Sequence, residues 1–245
     1  MLILHQINTS RWSPDGNTRV GRPQPARGAP CAAAPPRCDH GRRRGRREPV
    51  TVASSNAAAA TILSRLTKRL STAAPHTGLH LLPLAPSSEQ LLGEGGADLV
   101  LLPETIRTRL PRERLHEEEW VCVVDADNTD VGAALEVPDL VRLPHVVFDL
   151  GGMSVPAELT WRAVLAERRI QATVSDFLTI PFLLRGTSIS VLPGRLAQLL
   201  SAHGMLRIVQ RAVPLPQVGI DMVWNPRGGN DPAYAWLRAQ LRELV

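Results

Sequence analysis

The stretch VTVASSNAAAATILSRL, residues 50–66, runs from a short β-branched segment through three small polar residues into an alanine-rich pattern. Its first part, Thr51 to Ser54, predicts a strand. Apolar residues then recur at helical spacing, at Ala59, Ile62, Leu63, Leu66 and Leu70. A strand that leads directly into a helix is typical of the β-α-β unit. This stretch therefore predicts an α/β fold.

The three polar residues Ser54, Ser55 and Asn56 allow two interpretations. Any one of them can cap the helix by accepting a hydrogen bond from a free N–H of its first turn. Three exceed what a cap requires, and a helix N-terminus also offers unpaired donors and a positive dipole end to a ligand. Local sequence alone does not distinguish a helix cap from a ligand-binding position.

The alternation of strand and helix patterns continues to the C-terminus. Two more strands are predicted at Gly78–Leu84 and Ala97–Leu102, with a short helix between them at Glu89–Leu92. The resulting β-α-β-α-β order implies parallel pairing. Trp120–Asp125 reads as a further strand. A second alternating block follows. Its predicted strands are His145–Phe148, Ile170–Val174 and Ile189–Leu192, and its predicted helices are Pro156–Glu167, Phe177–Arg185 and Arg195–His203. Two more strand-like runs, Leu206–Gln210 and Val218–Trp224, precede a last helix capped by Asp231. Two α/β lobes are the simplest arrangement.

The N-terminal segment differs sharply in composition from the rest. Residues 21–48 contain no Val, Ile, Leu, Met, Phe, Trp or Tyr, and residues 1–48 carry a formal charge of +7 against −2 for the remainder. Such a segment cannot offset its ordering entropy by burial, so residues 1–48 are predicted to be disordered. The run Gly41–Arg47 is read as a solvated charged tail, with weak, sequence-independent phosphate binding as the alternative.

Several classes of protein are disfavoured by the composition. No run of about 18 apolar residues indicates a membrane span, and no secretory signal precedes the domain, which predicts a cytoplasmic location. Three cysteines fit a reducing compartment. Cys31, Cys38 and His40 match no common zinc spacing, so no metal or other cofactor is expected.

Enzyme motifs are also missing from the sequence, which predicts that the chain is not an enzyme. His116-Glu-Glu-Glu119 lacks the second His of a metalloprotease helix and is interpreted as an acidic loop ahead of a strand. Cys122 alternates with valines and is interpreted as a small buried hydrophobe.

Small polar residues and glycines recur where strands lead into helices. They lie at Ser54–Asn56, Leu102–Pro103, Asp149–Ser154 and Ser175–Thr179. In a parallel sheet these turns all lie at the carboxyl ends of the strands, where open α/β folds bind ligands. Two lobes with such edges facing each other predict a cleft, with apolar walls from Pro103, Phe148 and Phe177.

An ordered set of segments carries a family resemblance: TVASSNAAAATILSRLTKRL, GADLVLLPE, EEEWVCVVDADN, RLPHVVFDLGG, ISVLPGRLA and DPAYAWLR. Together they resemble the effector-binding domain of LysR-type transcriptional regulators, in the branch of the nodulation and nitroaromatic-catabolism regulators. The resemblance covers Val50 to Val245 in family order. It implies a type 2 periplasmic-binding-protein fold, in which two Rossmann-like lobes are joined by two crossover strands.

The resemblance also implies lobe boundaries and a ligand site. Lobe one is expected at residues 49–125 plus 213–245, and lobe two at residues 126–212. The effector is expected between them. The matching positions are Ser54, Ser55 and Asn56 at the first helix, Leu102 and Pro103 on the lobe-one wall, and Phe148, Gly151, Phe177 and Thr179 on the lobe-two side. Ligand contact by at least one of residues 54–56 is then expected, beyond capping alone.

The family pattern is not complete in this chain. Members begin with a winged helix-turn-helix and a linker helix, and residues 1–48 show no helical period that fits either. We therefore expect a truncated or frame-shifted regulator, or a stand-alone sensor, without specific operator binding. The expected ligand is an aromatic or carboxylic small molecule. Further copies of the chain are the other expected partners, as a homodimer or tetramer. Leu66 and Leu70 are then expected to face a partner subunit as well as the core. DNA is a partner for the family at large.

Three functions follow from these observations. The leading hypothesis is a small-molecule sensor of a LysR-type regulator, in which a ligand closes the cleft. An extracytoplasmic solute-binding protein of the same fold is the alternative, opposed by the lack of a signal peptide. An enzyme on this architecture is the third, opposed by the lack of a paired acid and base.

Overall fold

The computed structural model describes residues 49–85, 88–92, 96–165, 167–210, 213–226 and 231–245. All of them belong to one structural unit. The predicted disordered tail, with Cys31, Cys38, His40 and the arginine run, lies outside the described residues. No helix within the described ranges is long and apolar enough to cross a membrane.

The first sheet has the order β2-β1-β3-β11-β4. Strand β1 (Val50–Ser54) pairs in parallel with β2 (Leu79–Pro83) and β3 (Leu99–Pro103), as the β-α-β pattern predicts. Strand β11 (Val218–Trp224) runs antiparallel between β3 and β4 (Arg112–Glu118). The carboxyl ends of the three parallel strands therefore meet at one edge of the sheet.

Helices cover one face of this sheet. The chain passes from α1 (Asn56–Ala58) through a π-helical turn (Ala59–Leu63) into α2 (Ser64–Ala73). The last helix, α7 (Pro232–Arg242), begins after the capping residue Asp231. Apolar side chains of these helices pack on the sheet, and a smaller apolar cluster around Val100 and Leu102 fills the opposite face beside a 3-10 helix (Ser88–Leu92). We call this sheet with its helices lobe one.

The second sheet has the order β10-β5-β9-β6-β7, with β8 added beside β6. Its strands are β5 (Trp120–Asp125), β6 (His145–Leu150), β7 (Met153–Ser154), β8 (Ile170–Val174), β9 (Ile189–Pro193) and β10 (Leu206–Val209). Its helices are α3 (Val137–Arg142), α4 (Pro156–Val164), α5 (Ile180–Leu183) and α6 (Gly194–Ala202). We call this sheet with its helices lobe two.

The boundary between the lobes differs from the prediction. Lobe one was expected to extend to Asp125, but β5 pairs with β9 and β10 and belongs to the second sheet. Only Glu119 separates β4 from β5. Because the chain crosses between the sheets without a turn, the sequence contains no glycine or proline to mark the crossing.

The expected partner-facing role of Leu66 and Leu70 is not what the structure shows. Their exposed fractions are 0% and 3% within one chain, and both pack in the lobe-one core. Their spacing of four residues places them on the buried stripe of α2, because residues four apart share one helix face. A core contact therefore accounts for both.

A polar group is buried inside lobe two. Arg168 donates to Glu158 at 2.6 Å, and both side chains are at least 95% buried. The His145 ring donates from Nε2 to the Leu140 carbonyl oxygen at 2.7 Å and lies edge-on to Trp161. Burial lowers the pKa of His145 to about 4, and the positive charge of Arg168 acts in the same direction.

The depressed pKa of His145 predicts a loss of stability in acid. In the unfolded chain this imidazole takes up a proton near its ordinary pKa of 6.5, whereas the folded protein resists protonation down to about 4. The unfolded state therefore binds the proton first, so stability present above pH 6.5 is lost as the pH falls towards 4. Between about pH 7.5 and about pH 5 the loss due to this group should be about 2 kcal/mol.

Denaturant unfolding of His145→Gln at both pH values measures this effect. The variant should lose about 2 kcal/mol less than the wild type between the two conditions. His76→Gln, at an exposed position, should lose as much as the wild type. Equal losses in all three proteins would contradict the assignment.

Removal of one member of the buried ion pair should be costly. In Arg168→Met, Glu158 is left charged and buried without its partner, which should lower the free energy of unfolding by about 3 to 5 kcal/mol. Arg185→Met, at a side chain that is 76% exposed, is the matched control and should change it by less than about 0.5 kcal/mol. The double variant Arg168→Met with Glu158→Gln should recover part of the loss in the same unfolding measurement, and no recovery would rule out the unpaired charge as the cause.

Candidate functional site

A cavity of about 480 Å³ lies between the two lobes, at the carboxyl ends of the parallel strands. Lobe one contributes the end of β1, the start of α1, and the ends of β2 and β3. Lobe two contributes the end of β6, the turn at residues 175–177 and the start of α4. The topology dictates this position, because open sheets leave a crevice at the carboxyl ends of their strands.

The polar residues at the start of α1 each have a structural partner. Ser55 is the cap, since its hydroxyl accepts from the Ala58 N–H at 3.2 Å. Asn56 reaches across to lobe two, where its Oδ1 accepts from the Phe177 N–H at 3.2 Å. Ser54 is buried, and its hydroxyl donates to the Ser55 carbonyl oxygen. One residue caps the helix, and another joins the lobes.

Three aromatic side chains form the lobe-two wall. Phe148 and Phe177 stack with their ring centroids 3.9 Å apart, and Trp120 lies tilted against Phe177 at 6.0 Å. All three are more than 90% buried and line the cavity. They provide a rigid apolar surface, because buried ring pairs have little freedom to rotate.

Strand β4 places two polar side chains in the cavity that sequence reasoning missed. His116 and Glu118 were interpreted as part of an acidic loop, but they lie in β4 and are more than 90% buried. His116 Nε2 and Glu118 Oε2 are 3.1 Å apart. The signal that could have found them is the spacing of two, which puts both side chains on one face of a strand.

A β-bulge at Leu115 sets the direction of these side chains. Ile220 pairs with His116, whereas the next residue, Asp221, pairs with Arg114, so Leu115 is an extra residue on β4. Paired residues share a face, so His116 lies with Ile220 on the cavity side, and Arg114 lies with Asp221 on the other. Arg114 donates to Asp221 at 2.7 Å there and passes over Gly219, where an added Cβ would overlap its guanidinium.

The nine residues predicted for the ligand site divide into two groups. Six of them line the cavity, namely Ser54, Ser55, Asn56, Pro103, Phe148 and Phe177. Leu102, Gly151 and Thr179 are not among its lining residues. Leu102 points to the opposite face of the sheet, because Leu101 and Pro103 on either side of it face the cavity and strand residues alternate.

Local geometry explains the other two. Gly151 adopts a φ of 61° in the turn between β6 and β7, where it is exposed. Thr179 is hydrogen-bonded to Asp176, whose carboxylate accepts from the Thr179 N–H at 2.8 Å and from its hydroxyl at 2.6 Å. The hydroxyl fixes the turn before α5 and does not line the cavity.

The arrangement is suited to binding. Lining atoms are mostly apolar, with a few hydroxyl, amide and carboxylate groups, as in small-molecule sites. Within the part of the chain that the structure describes, no cluster of three His, Cys, Asp or Glu side chains has the geometry of a metal site. Cys122 is fully buried in β5, as expected for a small hydrophobe.

The sequence is similar to several curated proteins. Nodulation protein D 2 of Rhizobium tropici is 31% identical over 180 residues, which cover 72% of this chain and 57% of that protein. Nodulation protein D 1 of Bradyrhizobium diazoefficiens is 32% identical over 183 residues, or 73% of this chain and 58% of that protein. The chain thus spans less than two thirds of the length of these relatives.

Solved structures share the fold. A putative transcriptional regulator from Vibrio parahaemolyticus superposes with a TM-score of 0.71 at 22% identity, over 80% of this chain and 93% of that one. The regulatory domain of MexT, a transcriptional activator in Pseudomonas aeruginosa, gives a TM-score of 0.69 at 22% identity, over 80% of this chain and 99% of that domain. These matches confirm the predicted two-lobed, type 2 periplasmic-binding-protein-like fold.

The family itself follows from a direct match to the sequence. Residues 43–245 match the family described as the LysR substrate binding domain. That range includes both lobes and every residue that lines the cavity. The resemblance expected from the sequence is confirmed, and so is the prediction of a binding domain in place of an enzyme: the chain belongs to the LysR substrate-binding-domain family.

Proposed function

We propose that this chain is the sensing part of a LysR-type transcriptional regulator and that its signal is a small molecule held between the two lobes. The observation that supports this most directly is the cavity of about 480 Å³ at the carboxyl ends of both sheets. Both lobes contribute to its lining. A molecule bound there contacts both lobes at once, so its affinity depends on how far they are closed.

The connections between the lobes allow such a movement. The chain crosses at Glu119, and again between β10 and β11. Gln217 of the second crossing donates to the Glu119 side chain at 2.9 Å, so the two crossings lie side by side. Paired crossings, in which a few residues at the ends of elements connect two lobes, are typical hinges for lobe closure.

The lining residues and the whole regulator are also assigned roles. Ligand contacts are assigned to the predicted residues that line the cavity, with Asn56 acting both as a ligand contact and as a latch to lobe two. The regulator is proposed to act in the cytoplasm as a homodimer or tetramer, with DNA bound by another part of the protein. Membership of the LysR family favours this function over that of an extracytoplasmic solute-binding protein.

A blocked cavity should abolish the response to ligands. Ala58 lines the cavity at the start of the first helix, so a Phe side chain in Ala58→Phe should occupy part of the space. In a thermal-shift screen of small aromatic alcohols and carboxylic acids, a true ligand at about 100 times its Kd should stabilise the wild type by about 2.7 kcal/mol. The same ligand should leave Ala58→Phe unchanged.

Ala73→Phe is the matched control, because Ala73 ends α2 at an exposed position away from the cavity. It should respond like the wild type. An equal response from Ala58→Phe would place the ligand elsewhere and contradict the proposal.

Loss of the latch should loosen the contact between the lobes. Asn56→Ala removes the acceptor for the Phe177 N–H, a hydrogen bond worth about 1 kcal/mol, so exchange of that amide hydrogen should become about fivefold faster. Asn56→Asp keeps an acceptor at the same place and should retain the slow rate. Hydrogen exchange read by NMR makes the comparison, and equally fast exchange in both variants would show that the latch does not depend on this oxygen.

A further inference from the structure

The charged groups around the cavity are all of one sign. Among the described residues that line it there is no Lys or Arg, whereas Glu118 and Asp176 are acidic. Both oxygens of Asp176 already accept hydrogen bonds from Thr179. Glu118 is different, because its hydrogen bond to His116 uses Oε2 alone.

The second oxygen of Glu118 is accessible and belongs to a residue that lines the cavity. Oε1 has no hydrogen-bond partner among the described residues, and it remains accessible to solvent. The residue as a whole is 91% buried and lines the cavity. The carboxylate thus presents one acceptor into a largely apolar space. His116 fixes its orientation, with the ring hydrogen on Nε2 because a carboxylate can only accept.

The bulge at Leu115 keeps the nearest cations away from this oxygen. Arg112 and Arg114 both pair with Asp221 on the opposite face of the sheet. Arg114 also pairs with Glu117 and Glu104 on that face. Neither guanidinium is available to neutralise an anion in the cavity.

We propose that the cavity takes an uncharged, mostly apolar molecule that donates a hydrogen bond to Glu118 Oε1, and that Glu118 excludes carboxylates. This inference rests on the proposed function and narrows the expected aromatic or carboxylic ligand to one class. A bound carboxylate would face Glu118 with no cation to offset the repulsion. A bound cation would lose its hydration against the aromatic and aliphatic walls. Its only compensation would be an ion pair with Glu118, whose carboxylate already accepts a hydrogen bond from His116.

Four probes that share a naphthalene ring test the role of Glu118 on the full chain by isothermal titration calorimetry. They are naphthalenemethanol, methylnaphthalene, naphthoic acid and naphthylmethylamine, which present a hydroxyl donor, no polar group, an anion and a cation. Naphthalenemethanol should bind about tenfold more tightly than methylnaphthalene, because a hydrogen bond to a charged acceptor is worth about that factor. Naphthoate and the amine should both bind more weakly than the alcohol.

Substitutions on the two faces of β4 isolate the role of Glu118. Glu118→Gln keeps the shape and removes the charge, so the preference for naphthalenemethanol over naphthoate should shrink about tenfold. Glu118→Leu removes the acceptor as well, and the preference for the alcohol over methylnaphthalene should disappear. Glu117→Gln, one residue away on the exposed face, should keep the wild-type preferences. Thermal unfolding without ligand confirms that each variant is folded.

The possible failures are distinguishable. If the probes bind and Ala58→Phe abolishes binding, but Glu118→Gln leaves the preferences unchanged, the cavity is the ligand site and the role of Glu118 is wrong. Tightest binding by naphthoate or by the amine in the wild type overturns the uncharged class. If no probe binds in a saturable manner, this inference is overturned, and if the broader thermal-shift screen also finds no ligand, the proposed function falls with it.

Discussion

Strand β11 pairs with β3 on one side and with β4 on the other, and the rest of the molecule depends on those two ladders. The chain leaves lobe one through β4, builds lobe two and returns through β11. Because the outgoing and returning strands are neighbours in one sheet, the two crossings between the lobes are held side by side. This places the carboxyl ends of β1 and β3 opposite those of β6 and β9, and the space between them becomes the cavity.

Much of this fold could be predicted from the sequence, because apolar periodicity reports burial directly. The strands at residues 51–54, 120–125 and 218–224 and the cap at Asp231 all follow from side-chain patterns that local geometry enforces. The cavity could also be placed at the turns that follow the parallel strands. Family resemblance then added the two-lobed arrangement, which no local pattern contains.

The parts that could not be predicted have a common physical origin. Strand β4 carries mostly charged residues, because one of its faces forms an ion-pair network around Asp221 and the other reaches the cavity. Without apolar alternation it resembles a loop. Its bulge also breaks the alternation between Arg114 and His116, so the sequence does not show which of the charged side chains share the cavity face. Leu102 and Thr179 do not line the cavity for a related reason. Leu102 points to the opposite face from its sequence neighbours, and the Thr179 hydroxyl is hydrogen-bonded locally to Asp176.

The extra residue at Leu115 also bears on how binding preferences change within such a fold. If β4 kept its sequence but lost the bulge, Leu115 would pair with Asp221, and ordinary alternation would place Arg114 on the same face as His116, beside the cavity. A shift of one residue in the pairing of β4 with β11 would thus add a basic side chain to an acidic lining, while the helices and the remaining strands stay as they are.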